Sequence, residues 1–254
     1  MTQPPEEEFF VGYLAQSPRA RRTALGLGAA LLLLLWAAGF ALARSSAGAG
    51  RAKFAFGQSA GELGVLTSAP EPVFWTLDPQ LPGGVRATLL VRQGKFGLAG
   101  AAFDRHVVRV RGSVIEREGR RMIELASAPE AADGALDDAA RAQLLSPERR
   151  VLGPVSLSGE IVDSKCFLGR MRPGDRRTHR ACAQQCIAGG IPPLFVTRDA
   201  RGRETHYLLA NARGESIAAE VLPFVAEPVL VRGQLVQQGD LLIVNTAPDQ
   251  ITRL

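Results

Sequence analysis

The sequence is poor in cysteine, histidine and aromatic residues. It has three cysteines, three histidines and aromatic side chains at only 6% of its 254 positions. Aromatic residues this sparse do not form the stacking platform on which single-stranded nucleic acids bind. The net charge of +5 is mild and spread along the chain, which also argues against nucleic-acid binding. We therefore expect no nucleic-acid partner.

Motifs of common enzyme classes are also missing. Gly94-Lys95-Phe96-Gly97 predicts a turn rather than a phosphate-binding loop, because no Gly-Lys-Ser/Thr run precedes a helix. No C-x-x-C pair, paired carboxylates or Ser-His-Asp set stands out. His106 and His206 lie in predicted strands far from the cysteines, where surface or packing roles are expected. These absences favour a protein that is not an enzyme.

An apolar run near the N-terminus contains no charged residue from position 23 to position 43. About 20 such residues in a helix cross a bilayer. Arg19, Arg21 and Arg22 precede the run, and Arg44 is the first charge after it. By the positive-inside rule, residues 1–22 form a cytoplasmic tail, residues 23–43 are a single-pass anchor in the inner membrane, and the rest is exported.

A cleaved signal peptide is the alternative, because Ala41-Leu42-Ala43 has the small-x-small form of a cleavage site. Cleavable apolar cores are about 7–15 residues long, however, and this run is longer. The sequence therefore favours a retained anchor. The arginine- and alanine-rich composition is typical of bacteria with GC-rich DNA, so we expect the bulk of the chain to lie in the periplasm.

After a small-residue linker at 44–53, short strands punctuated by Gly and Pro predominate. The two halves repeat one another, since VRGSV at 110–114 matches VRGQL at 231–235, and Gly119 and Gly239 then mark hairpin turns. The predicted strands lie at residues 62–67, 73–77, 87–92, 107–116 and 121–126, and at 155–163, 194–198, 205–211, 228–237 and 240–246.

Five short strands with one long, glycine-broken strand are typical of a small Greek-key barrel. We therefore predict a mainly β fold in which the N-terminal transmembrane helix is followed by two tandem OB-like barrels. Residues 54–128 form the first barrel, residues 129–152 a linker with a short helix, and residues 153–254 the second barrel with a Cys/His insertion. A single sandwich of about ten strands is the alternative.

The second half carries the pattern GEIVDSKC…HRACAQQCIAGG…LFV…YLL…VRGQLV. In this it resembles exported bacterial domains of the OB-like (tRNA-anti/OB-like) type, in which a strand ending in D-x-x-C leads into a cysteine-rich insertion. The similarity covers about residues 155–254. A related pattern without cysteines occurs in the first half of the chain. It implies the fold and the exported compartment, and it implies no activity.

All three cysteines and one histidine lie between Asp163 and Pro193. Pro173-Gly174-Asp175 predicts a turn, and Asp175 or Thr178 is expected to cap a helix that ends at Gly189-Gly190. On this helix His179, Cys182 and Cys186 would share one face at i, i+3 and i+7, with Cys166 arriving from the preceding strand. The predicted site is a Cys₃His site for zinc or copper(I).

Two other roles for the cysteines stay open. Cys166 could form a disulfide with Cys182 or Cys186, leaving one spare thiol, whereas Cys182 and Cys186 are too far apart on a helix. The segment is also rich in basic residues, which lower the pKa of thiols and favour redox chemistry. Its arginines could instead be solvated or paired with Asp163 and Asp175.

The sequence thus predicts a membrane-anchored periplasmic accessory protein that binds zinc or copper through Cys166, His179, Cys182 and Cys186. We expect a protein partner in the membrane or periplasm, and a role in the assembly or stability of a redox or respiratory complex, with the first barrel as a spacer or docking surface. The alternatives are a disulfide-stapled interaction module and an enzyme, either a thiol oxidoreductase or a metal-assisted hydrolase. Membrane-anchored haem chaperones share the layout, but their His-x₃-Tyr element is missing here.

Overall fold

The computed structural model describes residues 17–47, 52–57 and 60–254. The chain forms two compact units, Met1–Ala49 and Gly50–Leu254. Most of the predicted cytoplasmic tail and part of the predicted linker at 44–53 lie outside the described residues.

Among its described residues, 17–47, the first unit contains one helix, α1 (Pro18–Ala47). Its segment Pro18–Arg44 contains an 18-residue window with a mean hydropathy of 2.2, so by length and composition it can cross a membrane. The predicted anchor, residues 23–43, lies inside this helix. A signal sequence near the N-terminus has the same properties, and retention of the helix therefore stays a prediction.

The second unit begins with a closed five-stranded barrel. Around the barrel the strands follow the order β2-β3-β4-β6-β5 and return to β2, with β4 and β6 parallel and the other pairs antiparallel. Two short strands, β1 and β7, pair with β5 outside this circuit. The strands are β1 (Lys53–Phe54), β2 (Ala60–Thr67), β3 (Val73–Leu77), β4 (Val85–Val91), β5 (Val107–Arg117), β6 (Arg120–Leu125) and β7 (Glu130–Ala131).

A short helix, α2 (Asp138–Leu145), connects the two barrels, as predicted. Asp137 caps it, because its carboxylate accepts the Ala140 N–H at 2.7 Å. Leu144 on its inner face is fully buried in the core. The next strand begins at residue 149 rather than at 155, because residues 149–154 already pair with the strand at 228–238.

The second barrel repeats the first, in the order β8-β9-β10-β12-β11 and back to β8, again with one parallel pair, β10 and β12. Its insertion between β8 and β9 carries helix α3 (Arg176–Ala188). A last strand, β13, pairs with β11. The strands are β8 (Arg149–Asp163), β9 (Pro193–Arg198), β10 (Glu204–Ala210), β11 (Pro228–Gln238), β12 (Leu241–Asn245) and β13 (Ile251–Arg253).

These pairings confirm a mainly β fold with two small barrels, and each of the ten predicted strands is present. The alternative of one ten-stranded sandwich is wrong, because the hydrogen bonds divide the strands into two separate circuits. The glycine of each VRG motif permits a close approach between strands. A Cβ at Gly112 or Gly233 would overlap the carbonyl oxygen of Glu124 or Asn245, respectively.

The two barrels pack directly on each other. One hydrophobic core contains Trp75 and Leu89 of the first barrel together with Leu194 and Leu208 of the second. The turn of each long hairpin also contacts the other barrel. Asp240, at the β11–β12 turn, accepts the Ala87 N–H at 2.7 Å. Arg117, at the end of β5, is paired with Glu204 of β10 at 2.7 Å.

Candidate metal centre

The connector between β8 and β9, residues 164–192, carries every cysteine of the chain. It starts with a single wide helical turn, Cys166–Arg170. The Cys166 N–H donates to Oδ1 of Asp163 at 2.8 Å. The D-x-x-C spacing therefore has a local structural reason, because the carboxylate that ends the strand caps the turn that carries the cysteine.

Helix α3 confirms the predicted helix and ends before Gly189. Its predicted capping is wrong. Asp175 stands at the N-cap position, but its side chain accepts no backbone N–H and is paired with Arg198 at 2.7 Å. The carboxylate of Glu160 on β8 accepts the Arg176 N–H instead. The start of α3 is thus tied to the barrel wall.

The helix presents the predicted face to the core. His179 and Cys186 are buried, and Cys182 is half-buried. The donor atoms of Cys166, His179 and Cys182 all lie within 4.8 Å of one another, and so do those of Asp163, Cys166 and Cys186. In a tetrahedral site with zinc–ligand distances of about 2.3 Å, two ligand atoms are about 3.8 Å apart. Small shifts of the side chains would therefore bring either group of donor atoms to the spacing that an ion needs.

The structure therefore brings the four predicted ligands into one cluster and adds a carboxylate to it. Sequence reasoning treated Asp163 only as an ion-pair partner for arginines. Asp163 is completely buried, and its Oδ2 lies 3.0 Å from Nε2 of His179. Its place three residues before Cys166 was the signal that could have identified it.

The three thiols differ in acidity because they contact one another. A hydrogen bond from the Cys166 thiol lowers the pKa of Cys186 to about 7. The same hydrogen bond, together with burial, raises the pKa of Cys166. Burial raises the pKa of Cys182. Cys186 is thus the thiol that loses its proton most easily. If Cys166 and Cys182 bound a metal ion as thiolates, they would release their protons.

All three cysteines are free thiols in this structure, so the disulfide clamp that the sequence left open as an alternative is not formed. The predicted influence of the local basic residues is also corrected. Arg170 is paired with Glu124 at 3.2 Å, and Arg180 is paired with Glu227. The cation close to both Cys182 and Cys186 is Lys95, which belongs to the first barrel. Its charge partly offsets the rise in the pKa of Cys182 that burial causes, and it adds to the lowering of the pKa of Cys186.

Lys165 of the connector contacts the loop after β4. This side chain is 2% exposed, and its ammonium donates to the carbonyl oxygens of Arg92 and Gly94 at 2.8 and 2.7 Å. Glu124 of the first barrel lies 3.4 Å away and supplies the opposite charge. A buried lysine with three partners fixes the residue next to Cys166 to the first barrel.

The same loop also contacts the end of α3. The Gly97 N–H donates to the carbonyl oxygen of Gly189 at 2.9 Å, and a Cβ at Gly97 would overlap the carbonyl oxygen of Gly190. Lys95 donates to the side chain of Gln185. The GKFG segment lies in a chain reversal, as predicted, but no sequence pattern indicated that it forms a wall of the cluster.

The other two histidines lie outside both donor groups. His106 is 55% exposed at its side chain and pairs with Asp133 at 3.1 Å. His206 is buried, with its ring edge-on to Phe167 and the ring centres 5.6 Å apart. Surface and packing roles were expected, and these contacts agree with them.

Comparison with known proteins assigns no family to this geometry. No family model matches the chain. Searches of curated proteins and of solved structures found no significant match either. The function has to be argued from the site itself.

Proposed function

We propose that this protein is a membrane-anchored periplasmic accessory protein that binds zinc or copper(I) through Cys166, His179, Cys182 and Cys186. One observation carries the proposal: three free thiols, an imidazole and a carboxylate from separate segments converge, with donor atoms grouped within 4.8 Å. Thiolate and imidazole are the donors that these two ions prefer.

Burial of the donors supports an ion as their partner. Thiolates are costly to bury without a compensating positive charge. Cys166 and Cys186 are 6% and 2% exposed, and Lys95 and Lys165 supply the nearby positive charge. A metal ion would supply the rest of the positive charge that the buried thiolates need. Because Cys182 alone among the four is half-exposed, it marks the side from which an ion would reach the cluster.

Four protein ligands favour a closed site over a catalytic one. Catalytic zinc has three protein ligands and an open position for water, whereas structural zinc has four protein ligands. The cluster therefore supports a role in holding or delivering an ion rather than hydrolysis. We propose that the site serves the assembly or stability of a redox or respiratory complex, through a protein partner in the membrane or periplasm.

The proposed location rests on α1 and the charges beside it. The helix is long and apolar enough to span a bilayer, and Arg19, Arg21 and Arg22 precede its apolar part. This distribution favours a cytoplasmic N-terminus and an exported unit Gly50–Leu254. Membership of the OB-like exported family belongs to the same proposal and is supported by the D-x-x-C element.

The test is elemental analysis and thiol titration of the full chain, purified in detergent after export. We expect one zinc or copper ion per chain and three thiols that react only after the ion is removed. Cys182→Ser should lose most of the ion, whereas His106→Ala, which changes a histidine outside the cluster, should retain it. A metal-free protein with a disulfide at Cys166 would overturn the proposal and leave a stapled interaction module.

A thiol redox role is the second candidate, favoured by the hydrogen bond between Cys166 and Cys186 and by the pKa of about 7 at Cys186. In such a reaction the Cys186 thiolate attacks a partner's disulfide. Cys166 then resolves the mixed disulfide, and the partner leaves as a dithiol with both electrons. Equilibration with mixtures of oxidised and reduced glutathione tests it. A reversible Cys166–Cys186 disulfide in metal-free protein would favour this role.

A further inference from the structure

We infer that Asp163 is a positioning residue of the cluster and that it directs His179 to bind the ion through Nδ1. This inference rests on the proposed metal-binding function. It concerns a residue outside the predicted ligand set and selects one of the two ring nitrogens of His179.

Each oxygen of the Asp163 carboxylate contacts a segment that carries a predicted ligand. Oδ1 accepts the Cys166 N–H at 2.8 Å, and Oδ2 lies 3.0 Å from Nε2 of His179. The side chain is completely buried. A carboxylate oxygen in such a contact is an acceptor, so we assign the hydrogen of this contact to Nε2 of His179.

The tautomer of the His179 imidazole decides which of its nitrogens can bind an ion. In the neutral ring one nitrogen carries hydrogen and the other keeps a lone pair. With the hydrogen fixed on Nε2 by Asp163, the lone pair is on Nδ1. A metal-bound histidine usually donates its other N–H to a carboxylate or carbonyl in this way.

Asp163 orients the ligands and is not itself a ligand of the ion. The donor group of Asp163, Cys166 and Cys186 is compact enough to admit a carboxylate ligand. Both oxygens of Asp163, however, already accept hydrogen bonds from the two segments that carry ligands. Three thiolates and one imidazole complete a tetrahedral shell without the carboxylate.

Asp163 thereby connects two ligands that arrive from different directions. Its backbone ends β8, where it pairs with Pro193 of β9, so the carboxylate projects from a rigid strand. One oxygen orients the turn of Cys166, and the other orients the ring on α3. A side chain that fixes both before the ion arrives reduces the entropy lost on binding.

Asp163→Asn is the variant that tests this role. An amide has one acceptor oxygen and one donor nitrogen, so it can accept only one of the two hydrogen bonds and opposes the other. We expect zinc to bind about 10- to 100-fold more weakly, still with one ion per chain, because all four ligands remain. Competition between the full chain and a chelator of known affinity measures the change.

Asp133→Asn is the matched control. The carboxylate of Asp133 also contacts one histidine and one backbone N–H, namely Nδ1 of His106 at 3.1 Å and the Val107 N–H at 3.2 Å. It follows β7 and belongs to neither donor group of the cluster. This variant should leave the zinc affinity unchanged.

The second readout is ¹⁵N NMR of the three histidine rings, assigned by single His→Gln variants. Metal-free wild type should show His179 with its hydrogen on Nε2, and zinc should shift the Nδ1 resonance. Asp163→Asn should weaken the tautomer preference of His179 and leave that of His106 unchanged. A simple loss of stability would not produce this pattern.

The outcomes separate the two claims. Zinc bound by wild type through Nε2, or bound equally well by wild type and Asp163→Asn, would overturn the role of Asp163 and leave the metal site standing. A wild type that binds no zinc or copper would overturn both. If Asp163→Asn does not fold, the tautomer of His179 in the wild type tests the role of Asp163 by itself.

Discussion

The two barrels have the same strand order and differ in one connector. Between the first two barrel strands, the first barrel has residues 68–72 and the second has residues 164–192. Both connectors contact the loop after the third strand of the other barrel. Glu71 of the short connector accepts a hydrogen bond from Ser216, and Gly189 of the long one accepts the N–H of Gly97.

The positions of Ser216 and Gly97 are equivalent. Each forms an isolated bridge with the last residue of the third barrel strand, Ser216 with Ala210 and Gly97 with Val91. Equivalent loops therefore contact the connector of the other barrel twice, once through side chains and once through the backbone. The connector is a short turn on one side and carries the cluster of thiols on the other. The chemistry of this protein lies in the insertion, while the repeated scaffold positions it.

The largest effect is expected from removal of the ion pair that joins the end of β5 in the first barrel to β10 in the second. Arg117 pairs with Glu204 at 2.7 Å and donates to the carbonyl oxygen of Phe167 at 2.9 Å. Arg117→Ala leaves a buried carboxylate without its main partner, which costs about 3–5 kcal/mol. Chemical denaturation of the full chain measures the loss. Arg117→Met combined with Glu204→Leu should recover most of it, and no recovery would show that the pair is not the cause.

A smaller effect is expected where the loop after β4 meets the connector. Gly97→Val introduces a Cβ that overlaps the carbonyl oxygen of Gly190, and the shift needed to relieve it costs about 3 kcal/mol. Because this loop forms a wall of the cluster, zinc affinity should fall with stability. Gly61→Val is the control, since a Cβ at Gly61 meets nothing within 4 Å. Unchanged zinc affinity in Gly97→Val would show that the site belongs to the second barrel alone.

The smallest effect concerns the short connector and depends on pH. Burial raises the pKa of Glu71 from 4.5 to about 7. The folded state therefore holds a proton that the unfolded state releases, and stability falls as pH rises from about 4.5 to about 7. Glu71→Gln keeps an acceptor for Ser216 and cannot ionise.

This variant should be more stable than wild type by about 1–3 kcal/mol at pH 8, because one pKa unit is worth about 1.4 kcal/mol. The difference should vanish below pH 4.5. Urea denaturation at both pH values tests the sign. Equal stability of the two proteins at pH 8 would mean that Glu71 is ionised in the fold at little cost.

Several elements of the fold followed from local patterns. Each of these patterns determines the conformation of residues that are close to it in the sequence. They are the apolar run of α1, the alternation within the ten strands, the glycine of each VRG motif and the glycines that end α3. The spacing of His179, Cys182 and Cys186 placed them on one helical face for the same reason. Asp163 and Cys166 are also close in the sequence. Their D-x-x-C spacing was noticed, but the hydrogen bond between them was not predicted from it.

By itself, the sequence determined two barrels, one apolar helix and the segment that carries the thiols. Only the tertiary structure decided that Lys95 and Gly97 border that segment, that Lys165 is buried against the first barrel, and that both barrels share a core. These contacts join residues some seventy to ninety positions apart. They depend on how two finished barrels pack, and packing is set by the complementary shapes of surfaces that form only after the strands have paired.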